Sequence, residues 1–130
     1  MPRLFNVQVF DESISGDVNP PTYYSMPEHH ALLGSADTLL AQVIVEGLTN
    51  STVTVSVTYQ ISNTGNESEW SDSSKSTTVA PAGFTAAALP KIGWIAIDTT
   101  ADLGAFGRFK VTADKNSITK VRIIVCGHSR

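Results

Sequence analysis

The sequence predicts an all-β protein: an antiparallel β-sandwich of jelly-roll or immunoglobulin-like type. The 130 residues contain seven short stretches with the pattern of β-strands, and clusters of Gly, Pro, Asn and Asp separate them. No stretch keeps a helical period over ten residues. A chain of this length can build one domain with a substantial core, so we expect a single domain over residues 1–130.

The strongest strand signal is residues 52–61, TVTVSVTYQI, where polar and apolar side chains alternate without a fault. Residues 39–47, LLAQVIVEG, form a nearly continuous apolar run, which is typical of a centrally buried strand. The other strands are predicted at 4–10, 75–80, 93–98, 106–112 and 117–126.

Residues 11–38 follow neither the period of a strand nor that of a helix. This segment contains three prolines and five acids, and a long irregular segment in a compact domain is usually functional or disordered. Its large apolar side chains favour burial, so we predict an extended docking arm that crosses to a neighbouring subunit or straps its own domain. These anchors are Tyr23, Tyr24, Met26, Leu32 and Leu33.

Charge is divided unevenly along the chain. Residues 1–74 hold nine acids and one base, whereas residues 75–130 hold eight bases and three acids. The net charge of −3 gives no general affinity for nucleic acid.

The strands at 106–112 and 117–126 are predicted to form one hairpin. In that register Lys110 lies opposite Lys120 and Arg108 lies opposite Arg122. Like charges in direct opposition are unfavourable, which suggests that this face meets negative charge. Three interpretations of these four bases are open. They are solvated on the outer face, they contact acids of this protein or of a neighbour, or they bind nucleic acid or an anionic glycan. Because no aromatic residues interleave with the bases, nucleic acid is the least favoured partner.

Catalytic motifs are missing from the sequence. There is no GxSxG elbow, no glycine-rich phosphate loop and no cysteine pair. His29 and His30 are adjacent on the arm, where neighbouring side chains point to opposite sides and ligate one metal poorly. We therefore expect no enzyme activity, no cofactor and no metal site, and we expect the single cysteine, Cys126, to be a small buried hydrophobe.

The aromatic residues allow an alternative function. Trp70 and Trp94, with the two tyrosines of the arm, could line a sugar-stacking platform, as in a carbohydrate-binding module of a phage fibre or a secreted enzyme. In the structural interpretation, Trp70 instead caps the edge of the sandwich and Trp94 lies in the core.

Residues 53–74, VTVSVTYQISNTGNESEWSDSS, carry an alternating strand, then Ser-Asn-x-Gly, then a tryptophan. This order resembles a pattern in small β-sandwich virion proteins of tailed bacteriophages. Here Thr64 stands where aspartate is usual in that pattern, and the loop to Trp70 is longer. The resemblance covers about twenty residues and implies a head-decoration or auxiliary protein, present in many copies on a capsid.

We therefore predict a capsid decoration protein that binds the major capsid protein and copies of itself, with trimeric rings favoured by head-to-tail contacts. No export signal or membrane span is evident in the sequence, so the expected location is the virion, assembled from protein made in the host cytoplasm. The predicted interface residues are Tyr23, Tyr24, Met26, Leu32, Leu33, Arg108, Lys110, Lys120 and Arg122.

Overall fold

Two four-stranded antiparallel sheets face each other in the part of the chain that the structure describes. The computed structural model describes residues 3–16, 21–47, 53–79, 90–97, 104–114 and 118–129. The strands are β1 (Arg3–Ile14), β2 (Tyr23–Tyr24), β3 (Ala36–Gly47), β4 (Val55–Ser62), β5 (Ser71–Val79), β6 (Lys91–Ile97), β7 (Phe106–Ala113) and β8 (Thr119–Ser129). The helical turns are a 3-10 turn at Pro27–His29, α1 at His30–Gly34 and a 3-10 turn at Glu67–Glu69.

The strand order identifies the type of sandwich. Sheet A has the order β1-β8-β3-β6, and sheet B has the order β2-β7-β4-β5. The first strand thus pairs with the last, the second with the seventh, the third with the sixth and the fourth with the fifth. This is the path of one long antiparallel ribbon rolled into two sheets, which is the jelly roll. The all-β sandwich prediction is confirmed, in its jelly-roll form.

The core lies between the sheets and is built by alternation along each strand. In β4, Val55, Val57 and Tyr59 are fully buried, while the residues between the valines face outward. Tyr59 packs against Phe109 of β7, with ring centroids 5.1 Å apart. From sheet A the fully buried side chains include Val9, Val43, Val45, Ile123 and Val125.

The predicted hairpin between residues 106–112 and 117–126 is wrong. Both segments are strands, but β7 belongs to sheet B and β8 to sheet A, so Lys110 is not opposite Lys120 and Arg108 is not opposite Arg122. Lys110 instead lies opposite Thr58 of β4. The alternation of inward residues is the same whether two strands pair or face each other across a core, so it did not distinguish these arrangements.

The predicted arm is largely part of its own sandwich. β1 extends to Ile14 and β3 begins at Ala36, which takes both ends of residues 11–38 into sheet A. Between them, residues 23–34 form a segment, here called the strap, that contains β2, a 3-10 turn and α1. The two residues of β2 pair with Val111 and Lys110 of β7. The described residues of this segment contact their own domain.

Candidate interaction surfaces

The strap is fastened by a buried serine. Ser25 is 1% exposed; its amide donates to the Phe109 carbonyl, and its hydroxyl accepts from the Phe109 amide, both at 2.9 Å. The next amide, of Met26, donates to the Val9 carbonyl of β1 at 2.9 Å. The strap therefore joins the β7 side of sheet B to the β1 edge of sheet A.

Two predicted anchors of the arm, Leu33 and Tyr23, pack against the core of their own domain. Leu33 is fully buried in the core, so its assignment as a docking residue is corrected: its side chain already fills an intramolecular site. Tyr23 packs against the core and is half-buried. Met26 and Leu32 are also half-buried, and Tyr24 is 37% exposed.

The four bases of the predicted cationic face lie on opposite sides of the molecule. Each contacts an acid from the N-terminal half: Arg108 with Glu67, Lys110 with Asp72, Lys120 with Asp11 and Arg122 with Glu46. The Lys110 ammonium lies 2.9 and 3.0 Å from the two carboxylate oxygens of Asp72. The uneven charge along the sequence is thus balanced in space by ion pairs within the chain.

These ion pairs explain two of the shifted pKa values. Hydrogen bonds from Gln60 and then Lys110 hold the pKa of Asp72 below its ordinary value of 3.8. The hydrogen bond from Lys120 does the same for Asp11. Both carboxyl groups are therefore ionised at neutral pH, which suits structural pairing rather than proton transfer.

Arg108 is the centre of a cluster on the outer side of sheet B. The residue is 4% exposed, and its Nε donates to Gln60 Oε1 at 2.8 Å. The guanidinium lies 3.8 Å from the ring centroid of Tyr24 and 4.3 Å from that of Trp70. We call Arg108, Tyr24, Trp70 and Gln60 the arginine cluster. Because its guanidinium is enclosed, Arg108 is not available to a docking partner, which corrects its assignment as an interface residue.

Trp70 is held from a second direction by His30 of α1. The two rings meet edge to face with centroids 5.1 Å apart, and the His30 Nε2 lies 3.3 Å from the Ser25 carbonyl oxygen. Burial lowers the pKa of His30 below its ordinary value of 6.5. Trp70 therefore ties the strap to the loop before β5, and much of its ring is already occupied.

The outer side of sheet A carries an apolar patch on β3 and β6. Its ladders place Leu40 opposite Ala96 and Ile44 opposite Ile92. Three of its side chains are strongly exposed: Trp94 at 54%, Leu40 at 44% and Ile92 at 42%. We call Leu40, Ile44, Ile92, Trp94, Ala96 and Ile124 the apolar face. Leu4, at the far edge of the sheet on β1 and opposite His128, is also exposed, at 67%.

Two expectations are wrong on this side of the molecule. Trp94 is on the outer surface rather than in the core, because the inward positions of β6 are those of Ile95 and Ile97. Cys126 is exposed rather than buried, since it alternates with the buried Val125 and lies opposite Leu40. The apolar run of residues 39–47, which predicted a centrally buried strand, supplies apolar side chains to both faces of β3, and Leu40 on the outer face is exposed.

The outer side of sheet B is polar by contrast. Its ladders set Thr112 and Thr78 on either side of Ser56, and Lys110 and Ser76 on either side of Thr58. The outer side of sheet A therefore carries an apolar patch, whereas these rows of sheet B are hydroxyl-rich.

Two small clefts lie among the described residues. One, of about 280 Å³, is lined by Phe10, Asp11, Glu12, Tyr24, Met26 and Pro27. The other, of about 220 Å³, lies at the end of sheet B and is lined by Ile61, Ser62, Asn63, Glu69, Ser71 and Gly104. Nowhere in the described ranges do three His, Cys, Asp or Glu side chains gather to hold a metal ion. Among the same residues, no helix has the length and hydropathy required to cross a membrane.

Comparison with known proteins supports the fold and goes no further. No protein-family model matches the sequence, and no curated protein does. Among solved structures, the chain is similar to VP2 in the subviral particle of infectious bursal disease virus, with a TM-score of 0.51 and 11% identity over 98% of this chain. The match covers 33% of the VP2 chain, so this protein spans about a third of its length.

A second similar structure is that of CBM28, a carbohydrate-binding module specific for non-crystalline cellulose. The TM-score is 0.51 and the identity 13%, over 96% of this chain and 73% of that one. At these identities the likeness concerns the β-sandwich fold alone. A viral capsid protein and a carbohydrate-binding module thus share this architecture.

Proposed function

We propose that the protein is a non-enzymatic structural component of a bacteriophage virion, a capsid decoration protein that binds the major capsid protein and copies of itself. The observation that carries the proposal is the asymmetry of the sandwich. The apolar patch on the outer side of sheet A is suited to protein contact, whereas the hydroxyl-rich rows on the outer side of sheet B are suited to water.

The proposed assembly contact differs from the one predicted from charge. Lys110, Lys120 and Arg122 are paired within the chain, so they supply little attraction for an acidic neighbour. The apolar face takes over that role through Trp94, Leu40 and Ile92. The prediction of head-to-tail trimers assumed that a basic face of one subunit meets acids of the next. Because the four bases do not form one face, that argument no longer holds.

Shell contact is assigned to the part of the strap that remains at the surface. Tyr24 and Met26 line the larger cleft beside Asp11 and Glu12, at the edge where β1 and β2 meet solvent. Each such contact is small, and repetition over a symmetric shell multiplies its effect.

A pelleting experiment tests the virion role. Purified protein is mixed with particles of the encoding phage that lack it, and the particles are sedimented through a cushion. We expect saturable binding at a fixed number of copies per particle. Protein that stays in the supernatant at every concentration would contradict the proposal.

One observation favours a carbohydrate-binding function as a second candidate. Tyr24 and Trp70 lie beside hydrogen-bonding groups of Gln60 and Asp72, and aromatic rings with adjacent polar groups are what a sugar site requires. The same pelleting assay with amorphous cellulose separates the two functions. Cellulose binding that is lost in Trp70→Ala would favour the carbohydrate module over the virion protein.

A further inference from the structure

The apolar run of β3 is unusual for a strand covered on one side. Strands of a two-sheet sandwich ordinarily alternate, and continuous apolar runs belong to strands buried on both faces. In β3, Leu39, Ala41, Val43 and Val45 fill the core, yet Leu40 and Ile44 add apolar side chains on the other side. β6 repeats the pattern, with Ile92 and Trp94 outward and Ile95 and Ile97 inward. In β3 the polar residues Gln42 and Glu46 alternate with these outward apolar side chains, so the two strands together present an apolar patch.

The exposed part of this side is large enough to act as an interface core. With ordinary side-chain areas, the exposed fractions of Trp94, Leu40 and Ile92 amount to roughly 300 Å² of apolar surface. The two middle rows of the sheet contain no charged side chain in β1, β8, β3 or β6. Those rows are Asn6, Cys126, Leu40 and Ala96, then Gln8, Ile124, Gln42 and Trp94.

The charge of this side decides between partners. Its ion pairs, Lys120 with Asp11 and Arg122 with Glu46, lie at one end of the apolar face and sum to zero. A strongly charged partner surface would gain no long-range attraction here. A second copy of the same neutral side would meet no net repulsion.

We propose that the outer side of sheet A binds the same side of a second copy, forming a face-to-face dimer of four stacked sheets. Sheets pack face to face on other sheets at about 10 Å. The same patch on both subunits gives an isologous, closed contact with a two-fold axis. The pairing does not depend on the virion role.

The size of the contact sets the expected strength. Four strands about 4.8 Å apart and roughly seven residues long give a footprint of about 450 Å² per subunit. This is below the roughly 800 Å² per partner of a standard stable interface. We therefore expect a dimer that dissociates on dilution in the micromolar range.

Sedimentation velocity from about 1 to about 100 µM is the direct test. We expect the weight-average sedimentation coefficient to rise from that of a monomer towards that of a dimer. Trp94→Asp should weaken the association at least about tenfold, since it replaces the largest exposed apolar side chain of the contact, on β6, with a charge. Ser76→Asp is the matched control, because it adds the same charge to an exposed position on the outer side of sheet B.

Cys126 provides a second readout that needs no variant. It is the single cysteine of the chain, is exposed, and lies opposite Leu40 within the apolar side. The rate of its alkylation by iodoacetamide should fall as the protein concentration rises through the association range. Circular dichroism of Trp94→Asp establishes that the variant is folded; if it is not, the alkylation series on the unaltered protein still tests the dimer.

Three outcomes would overturn the proposal. The first is a monomer at every concentration, with an alkylation rate independent of concentration. The second is a trimer or a larger ring, which a closed two-fold contact cannot produce. The third is a dimer unaffected by Trp94→Asp. The protein could instead be a monomer that binds phage particles and loses that binding in Trp94→Asp. That result would show that the outer side of sheet A binds the shell, so the dimer proposal would be wrong while the proposed virion function would hold.

Discussion

Arg108 joins three separate parts of the chain through one guanidinium. It extends from β7, stacks on Tyr24 of the strap and on Trp70 after the 3-10 turn, and donates to Gln60 of β4. The planar group uses its faces for the aromatic rings and its edge for hydrogen bonds, which a lysine cannot do. A base that looks like a surface charge in the sequence is thus an intramolecular clamp.

Removal of the Arg108 side chain should lower the free energy of unfolding substantially, whereas removal of its acidic partner Glu67 should lower it only slightly. We expect Arg108→Ala to lower the free energy of unfolding by about 2 kcal/mol, because stacking and a buried hydrogen bond are lost together. Glu67→Ala should cost less than about 1 kcal/mol, since the Glu67 side chain is 81% exposed. Urea denaturation of both variants gives the comparison, and equal effects would mean that the ion pair, not the stacking, holds the cluster.

The residue-scale roles were only partly predictable. Alternation along β7 correctly directs Arg108 and Lys110 outward, away from Phe109 and Val111. The alternation does not indicate which side chains cover Arg108, because Tyr24 and Trp70 belong to segments that are distant in sequence. The enclosure of Arg108 depends on tertiary contacts that no local pattern encodes.

At the scale of elements, the strap is short but closely fitted. α1 begins at His30 and ends at Gly34, where the chain passes against the backbone of residues 105–106. A Cβ on Gly34 would lie 2.7 Å from the Phe106 amide nitrogen and would overlap the Ala105 carbonyl. Glycine is required here by close approach of two backbones.

A matched pair of glycine substitutions tests that fit. Gly34→Ala should lower the free energy of unfolding by about 1–3 kcal/mol, because the added methyl forces the strap away from β7. In Gly47→Ala the new methyl would meet only the Lys120 Cβ at 3.9 Å, an ordinary contact, so we expect little change. Thermal unfolding of the two variants is the measurement. Equal melting temperatures would show that the strap is not packed as described.

Prediction from sequence worked best for long strands and failed for β2. The seven predicted strands are all present in the described residues, because each repeats an alternating or apolar pattern over several positions. β2 has only Tyr23 and Tyr24, too few for any period to be recognised. β3 and β6 were found as strands, but with apolar residues on both faces their pattern did not reveal which side lies in the core.

At the scale of the whole molecule, the acidic and basic halves of the chain are interleaved by the jelly roll. β7 and β8 from the basic half each lie between strands from the acidic half. Ion pairs such as Lys110 with Asp72 and Lys120 with Asp11 follow from that arrangement. The sequence shows the division of charge, whereas its neutralisation depends on a strand order that local patterns do not specify.

This pairing predicts a loss of stability in acid. Asp72 and Asp11 have lowered pKa values in the fold, so the unfolded chain binds more protons near and below the ordinary value of 3.8. Their contribution is complete above that value and is lost as the pH falls through the folded pKa. Urea midpoints measured from about pH 6 to pH 3 should therefore fall, and Asp72→Asn should flatten the fall. An unchanged slope in Asp72→Asn would contradict the role of this carboxylate.

The pairing of the first strand with the last also governs how the chain folds. Asp11 and Lys120 are 109 positions apart in sequence and side by side in sheet A. β8 separates β1 from β3, so neither has its main partner until β8 has been synthesised. A topology of such high contact order folds in milliseconds to seconds rather than microseconds. Until β8 has been synthesised, β1 and one edge of β3 have no partner strand, and protection by a chaperone is most valuable in that interval.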